Sequence, residues 1–349
     1  MSDGNSENDG NDGEISTANT MRERAGESRV KLWLLLGARR LVVTGSLALV
    51  FFLSFVIAGT LLYPPLKSTI ASSDTIETMF STMLGTTITG VTLVVTISQL
   101  VISQENGPLG DQRQRMSEAM DFREFVREMI GHTTPSDPSQ FLKDIIDETE
   151  HRANELHQSI SDGDSEELSQ LRDDLDEFNE SLTGNSDTVK EELDGATFGT
   201  FDVLFAALDF NYSWKIFHVE RMREKYADHL DDEQKRLFER LKTSLSMFGP
   251  AREHIKTLYF QWALIDLSQL ILYAAIPSLF VAGSMLAFVG SGTFTGTTLG
   301  LTDILLVVAG AFTITLIPFF LLVSYILRIA TVAKRTLAIG PLILRDSQR

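Results

Sequence analysis

The sequence predicts an all-α integral membrane protein, with four transmembrane helices and a helical cytoplasmic domain inserted between helices 2 and 3. Two observations indicate this fold class. Four stretches of the 349-residue chain reach the roughly 20 apolar residues that a helix needs to cross a bilayer. Roughly 160 mostly polar residues separate the second stretch from the third, which is too long for a loop and is typical of a domain with its own core.

The four apolar stretches divide the chain into five parts. Residues 1–30 form an acidic N-terminal tail that we expect to be disordered, because it begins with Asp, Gly, Asn, Ser and Glu and almost nothing apolar. A first transmembrane hairpin covers 31–104, the cytoplasmic domain 105–258 and a second hairpin 259–335, and a cytoplasmic C-terminal tail covers 336–349. The predicted transmembrane helices are 41–63, 79–103, 267–289 and 304–329.

Basic residues predict the orientation of these helices. They collect before the first span, after the second and at the end of the fourth, whereas the loops 64–78 and 290–302 contain one lysine between them. By the positive-inside rule, both termini and the inserted domain are cytoplasmic, and the protein is a multi-pass component of the cell membrane. The basic residues concerned are Arg22, Arg24, Arg29, Lys31, Arg39, Arg40, Arg113, Arg115, Arg123, Arg127, Arg328, Lys334 and Arg335.

The cytoplasmic domain contains two segments with the periodicity of a coiled-coil hairpin, which we place at 139–183. Apolar residues recur at helical spacing before and after the short turn 161–164. The shortness of the turn favours pairing within one chain, although the same seam could pair between subunits. The seam residues are Leu142, Ile145, Thr149, Ala153, Leu156 and Ile160, then Leu168, Leu171, Leu175, Phe178 and Leu182.

Three further helices are predicted at about 187–208, 214–230 and 232–247. Gly249 and Pro250 should then break the chain, with Pro250 as the first residue of a new helix. No breaker follows before the third span, so the pattern predicts that a cytoplasmic stalk and this span form one continuous rod.

The composition is acidic and cysteine-free, with 47 Asp and Glu against 30 Lys and Arg. Nucleic acid is not expected as a partner, because phosphate binding needs clustered basic groups. Low lysine content and excess acid resemble proteins of salt-in halophiles and indicate a halophilic archaeon, in which surface carboxylates keep proteins hydrated. The absence of cysteine excludes disulfides and thiolate metal sites.

The second apolar stretch carries a row of small and polar residues, here called the polar stripe, at 3-4-3-4 spacing. This spacing places all of them on one helix face. Two interpretations remain open: the stripe packs against another helix through small residues and hydroxyl groups, or it lines a pore. The stripe consists of Thr82, Gly85, Thr89, Thr92, Thr96, Gln99 and Ser103.

The motifs of common catalytic and nucleotide-binding sites are absent, so we expect no enzyme, no cofactor and no metal site. A membrane-interface acid, Asp266, lies at the cytoplasmic edge of the third span with Gln261 and Gln269 on the same side. An acid at this depth is a functional candidate, although it could instead face water or pair with Arg328.

One segment resembles bestrophin-type anion channels. Val91 to Thr96 and the run Gln104-Glu105-Asn106-Gly107-Pro108 with Asp111 are similar to the second transmembrane helix of that family and its continuation. The order of two spans, a helical insert and two spans is similar as well. The resemblance implies a pentamer whose second helices line an anion pore.

A second resemblance is to an uncharacterised family of polytopic prokaryotic membrane proteins. It is carried by Ser98, Ser103-Gln104 and Gly107-Pro108.

Together these observations predict a homo-oligomeric membrane protein that conducts ions passively through a pore lined by the second transmembrane helix. The alternative is a non-conducting scaffold or sensor, in which the acidic coiled-coil domain binds a cytoplasmic protein partner. The polar stripe and the lipid bilayer are common to both hypotheses.

Overall fold

The computed structural model of the chain describes residues 33–63, 66–72, 74–105, 107–160, 166–196, 201–290 and 292–336. The predicted acidic tail, the residues beyond 336 and the turn of the coiled-coil hairpin lie outside these ranges. The described part is almost entirely helical. After a π-helical turn at Trp33–Gly37, the helices are α1 (Arg40–Leu61), α2 (Leu66–Ser72), α3 (Thr75–Glu105), α4 (Leu109–Ile130), α5 (Pro138–Ser159), α6 (Glu166–Leu193), α7 (Phe201–Asp209), α8 (Tyr212–Lys225), α9 (Asp232–Phe288) and α10 (Asp303–Thr336).

Four of these helices, α1, α3, α9 and α10, are long and apolar enough to cross a membrane. The apolar end of α9 packs against both α3 and α10, and α1 packs against α10. Phe80 of α3 is fully buried and meets the ring of Phe312 of α10 edge to face. Between α9 and α10 the strands β1 (Thr297–Thr298) and β2 (Leu301–Thr302) form a two-residue antiparallel ladder.

Helix α9 is one rod of 57 residues, about 85 Å long at 1.5 Å per residue. Its start is capped by Asp231, which accepts from the backbone N–H of Gln234, while the Gln234 side chain accepts from the N–H of Asp231. The helix ends at Phe288, so the stalk and the apolar segment are continuous, as the sequence predicts.

The break predicted at Gly249-Pro250 is wrong, because α9 passes through both residues. Phe248 and Ala251 on either side are buried, and the Tyr212 ring lies over Gly249, so close that an added Cβ would come 3.2 Å from its hydroxyl oxygen. Tertiary packing on this face therefore stabilises the helix against the missing N–H and the steric cost of the proline.

The polar domain packs around the stalk. Helices α5 and α6 contact each other in the same chain, and α5 also packs against α9, so the hairpin does not stand free. Arg152 of α5 donates to the carbonyl oxygens of Arg240 and Met129, at 2.8 and 3.1 Å, and thereby connects three helices. The seam residues Leu142, Leu156, Leu171 and Leu175 are completely buried.

The single helix predicted at 187–208 is also wrong. Helix α6 ends at Leu193, Gly195 adopts a φ of 85°, and a separate helix α7 begins at Phe201. A left-handed glycine just past the last helical residue ends a helix, and that signal was present in the sequence at Gly195.

Candidate functional site

The polar stripe lies on the side of α3 that faces away from the protein's own bundle. All seven of its residues are exposed in the protomer. At 3.6 residues per turn, their mean direction is about 160° from that of the face that packs inward. The inward face consists of Phe80, Leu84, Thr87, Val91, Val94, Ser98 and Val101.

The hydroxyl groups of the stripe bond to the backbone of their own helix. Thr82, Thr89, Thr92 and Thr96 each donate to the carbonyl oxygen four residues earlier, at 2.7 to 2.9 Å. Ser103 donates to the carbonyl oxygen of Leu100 at 2.8 Å. These hydroxyls are therefore satisfied in an apolar environment and leave a mainly small, weakly polar surface.

Gln99 differs from its neighbours in the stripe. Its side chain is exposed, and its amide has no hydrogen-bond partner in the part of the chain that the structure describes. An unpaired amide in hydrocarbon costs roughly 4–8 kcal/mol. If α3 crosses a bilayer, Gln99 needs water or a polar group of another molecule.

Polar contacts on the opposite face hold α3 and α10 to α9. The hydroxyls of Ser98 and Ser268 are in hydrogen-bond contact, so one donates to the other, which in turn donates to a carbonyl oxygen of its own helix. Ser278 of α9 donates to the carbonyl oxygen of Ile314 in α10 at 3.0 Å. The inward hydroxyls therefore join helices, whereas those of the stripe do not.

Asp266 is exposed on α9, with Gln269 exposed and Gln261 half-buried near it. Its carboxylate forms no ion pair with Arg328, because that guanidinium points to Ala38 instead. Asp266 therefore lies on the surface of the protomer and is not paired with Arg328.

A pair of buried arginines forms a centre that sequence reasoning missed. Arg40 is 6% exposed and Arg328 9%, and among the described residues neither has a carboxylate within 4.0 Å. Both donate to the carbonyl oxygen of Ala38, Arg40 at 2.7 Å and Arg328 at 2.5 Å. The arginine pair thus ties the start of α1 to the far part of α10.

Each member of the arginine pair has further contacts. Arg40 also donates to the carbonyl oxygens of Leu34 and Ser324, at 3.1 and 3.0 Å. The Arg328 guanidinium lies 4.6 Å from the ring centroid of Phe201, which belongs to the polar domain. The signal in the sequence was an arginine inside an apolar helix, but its partners are far away along the chain.

A cleft of about 200 Å³ lies between α6 and α8 of the polar domain. The ring centroids of His218 and Trp214 lie 3.7 Å apart. The buried indole N–H of Trp214 has no hydrogen-bond partner among the described residues. Burial, followed by the nearby Arg221 and Lys215, lowers the pKa of His218 below its ordinary value. Both causes favour the neutral form of His218, and the cleft combines this residue with acidic and basic side chains.

Among the described residues, no group of three or more His, Asp or Glu side chains is arranged to hold a metal ion. The acidic surface is instead used for ion pairs. Lys190 donates to Asp147 and Glu150, at 3.0 and 2.8 Å. Burial opposes its charge, but these two hydrogen bonds raise the pKa of Lys190 overall.

Comparison with known families matches residues 6–349 to a family of unknown function, DUF7972, and the chain therefore belongs to this family. This agrees with the likeness to an uncharacterised family. No curated protein and no solved structure matches the chain, and the likeness to bestrophin-type channels gains no support.

Proposed function

We propose that this member of a family of unknown function is a homo-oligomeric membrane protein that conducts ions passively through a pore lined by α3. The polar stripe carries the proposal. It extends along the apolar length of α3 and faces away from the helices that the structure describes, so it is available to line a water-filled path between copies.

The energetics favour an assembly over a protomer surrounded by lipid. Gln99 lies near the level of Ser268, because its neighbour Ser98 contacts that residue. Ser268 is the second residue of the third predicted span and lies two residues from Asp266, so Gln99 is at the cytoplasmic end of the proposed pore, at the edge of the hydrocarbon region. Several copies arranged around an axis would give each Gln99 amide either water or another amide.

The orientation in the membrane follows the distribution of charge. Arg39 precedes α1 and Arg113 follows α3, whereas the loop that contains β1 and β2 has no basic residue. We therefore place both termini and the polar domain in the cytoplasm. The acidic exposed surface of that domain suits a cytoplasm of high salt concentration, as in a halophilic archaeon.

Ion flux from liposomes that contain the purified protein tests the proposal. Thr96→Val and Gln99→Leu should each reduce flux at least tenfold, because they remove polar groups from the pore. Thr86→Val is the matched control: Thr86 is an exposed threonine of the same helix but lies off the stripe. Absence of flux from folded, inserted protein, or an equal loss in the Thr86 variant, would exclude the proposed pore.

One observation favours the alternative, a non-conducting scaffold whose cytoplasmic domain binds a protein partner. The hydroxyls of the stripe are already bonded within α3, so a close contact between helices of different copies would bury them at little cost. On this hypothesis Thr96→Val and Gln99→Leu loosen the oligomer, and removal of 141–182 abolishes function while assembly of the membrane helices persists.

A further inference from the structure

Within the part of the chain that the structure describes, no other helix covers the first half of α4. Every residue from 108 to 121 is exposed, which on a helix means that all sides are open. Contact with the polar domain begins only with Phe122 and Val126, and α4 packs there against α5. A helix of this length is marginally stable in water unless something covers it.

One face of this free segment is apolar. At 3.6 residues per turn, Leu109, Met116 and Met120 lie within about 40° of one another. They are 82%, 71% and 57% exposed. We call these three residues the α4 row. No local sequence signal marks these residues, because methionine occurs on many surfaces and the row is short.

The α4 row does not lie on the surface of the membrane. The guanidinium of Arg152 donates both to the carbonyl oxygen of Met129, near the end of α4, and to that of Arg240 in the stalk. Arg240 is 27 residues from Leu267, or about 40 Å along α9. At the other end Ser98 meets Ser268. Helix α4 must therefore run beside the stalk, away from the apolar region.

From this geometry we infer that the α4 row is covered by a second copy of the chain, so that α4 helices form a collar between protomers below the membrane. The row follows α3 along the chain, and the polar stripe of α3 is likewise exposed in the protomer. In a rotationally symmetric assembly, the same residue of every copy lies at the same position along the symmetry axis. The α4 row of one copy can therefore contact the opposite face of the α4 helix in the neighbouring copy.

Charge on α4 is distributed to suit such a contact. Arg113 lies about 40° from the centre of the row, whereas Asp111 and Glu118 lie on the opposite face of the helix. Arg113 is within about 8 Å in height of both acids on a parallel neighbour. The inference rests on the assembly in the proposed function, but not on conduction.

The cysteine-free chain allows a direct accessibility test in the full-length protein, reconstituted in lipid. Met116→Cys and Met120→Cys should react with a membrane-impermeant maleimide at least tenfold more slowly than Ala119→Cys. Ala119 is an exposed position of the same helix, about 80° from the row and about 80–100° from Asp111 and Glu118, so it lies between the two faces that are proposed to meet. Equal rates at the three positions would overturn the inference.

The identity of the cover is tested by oligomeric state and by truncation. The double variant M116E/M120E should lower the mass of the particle in mild detergent, whereas the control Q112E/A119E adds the same charge and should leave the mass unchanged. Removal of residues 1–30 should not change the labelling rates. If that removal opens the row, the chain's own tail covers it and the second-copy inference is wrong.

These results separate the collar from the pore. Protected cysteines together with absent flux would retain the collar and exclude conduction. Open cysteines in a protein that conducts ions would retain the pore and exclude the collar.

Discussion

The two buried arginines should differ in their importance, because Arg40 and Arg328 share one acceptor but not the others. Replacing Arg40 by methionine removes the donors to the carbonyl oxygens of Leu34 and Ser324, at 3.1 and 3.0 Å. Replacing Arg328 by methionine leaves the Ala38 carbonyl with two donors from Arg40, at 2.7 and 3.2 Å. The loss of hydrogen bonding is therefore larger at Arg40.

The magnitudes follow from the groups left without a charged donor. A hydrogen bond from a charged group contributes about 1.5–3 kcal/mol, so two such losses at Arg40 come to about 3–6 kcal/mol. Removal of one of two neighbouring buried charges offsets part of this loss, so Arg40→Met should cost about 3–4 kcal/mol. At Arg328 the main loss is the contact with the Phe201 ring, about 1–2 kcal/mol when desolvated. Removal of one of two neighbouring buried charges offsets part of this loss, so Arg328→Met should lower the free energy of unfolding by about 1 kcal/mol.

The assay is thermal unfolding of purified protein in detergent, followed by circular dichroism at one salt concentration. At about 2–4 °C per kcal/mol, Arg40→Met should lower the midpoint by about 6–16 °C and Arg328→Met by about 2–4 °C. Leu53→Met, an exposed change on α1, is a control and should be neutral. Equal shifts, or a larger shift for Arg328→Met, would refute the shared-acceptor reasoning.

Three other predictions concern the polar domain and its location. His218 has a lowered pKa in the folded state, so the unfolded state binds the proton first and the protein loses stability as the pH falls below about 6.5. The variant His218→Asn should therefore show a weaker dependence of the melting midpoint on pH between 7.5 and 5.5. An unchanged slope would contradict this prediction. In denaturant unfolding, Leu175→Ala should lower the free energy of unfolding by about 2–5 kcal/mol, because Leu175 is buried in the α6 seam. The control Glu177→Ala, at an exposed position, should change it by no more than about 0.5 kcal/mol. Similar changes for both variants would mean that the seam is not part of a core. In intact cells, an impermeant maleimide should label Thr295→Cys but not Glu233→Cys, and the reverse pattern would invert the proposed orientation.

The four apolar helices were predictable because hydropathy is a sum over consecutive residues and needs no knowledge of neighbours. The same holds for the seam of the α5–α6 hairpin, where Leu171 and Leu175 recur at the period of one helix face and are buried. The end of α6 at Gly195 was also a local signal, which the predicted helix 187–208 overlooked.

The continuity of α9 through Gly249-Pro250 could not be predicted from local sequence signals. Local propensity predicts a break there, and the helix persists because Tyr212, distant in sequence, packs over Gly249 while Phe248 is buried beside it. Packing of this kind depends on which distant segments come into contact, and the residues next to Gly249-Pro250 in the sequence do not specify those contacts.

The orientation of the polar stripe and the arginine pair depend on tertiary structure for the same reason. Periodicity shows that the stripe forms one face of α3, but a helix can turn either face toward its neighbours, and the contact of Ser98 with Ser268 selects the other one. Arg39 and Arg40 are adjacent, yet only Arg40 is buried, because its guanidinium meets the carbonyl of Ser324, 284 residues away. Composition and period are properties of the sequence, whereas the partner of a face or a charge is set by the packing of distant segments.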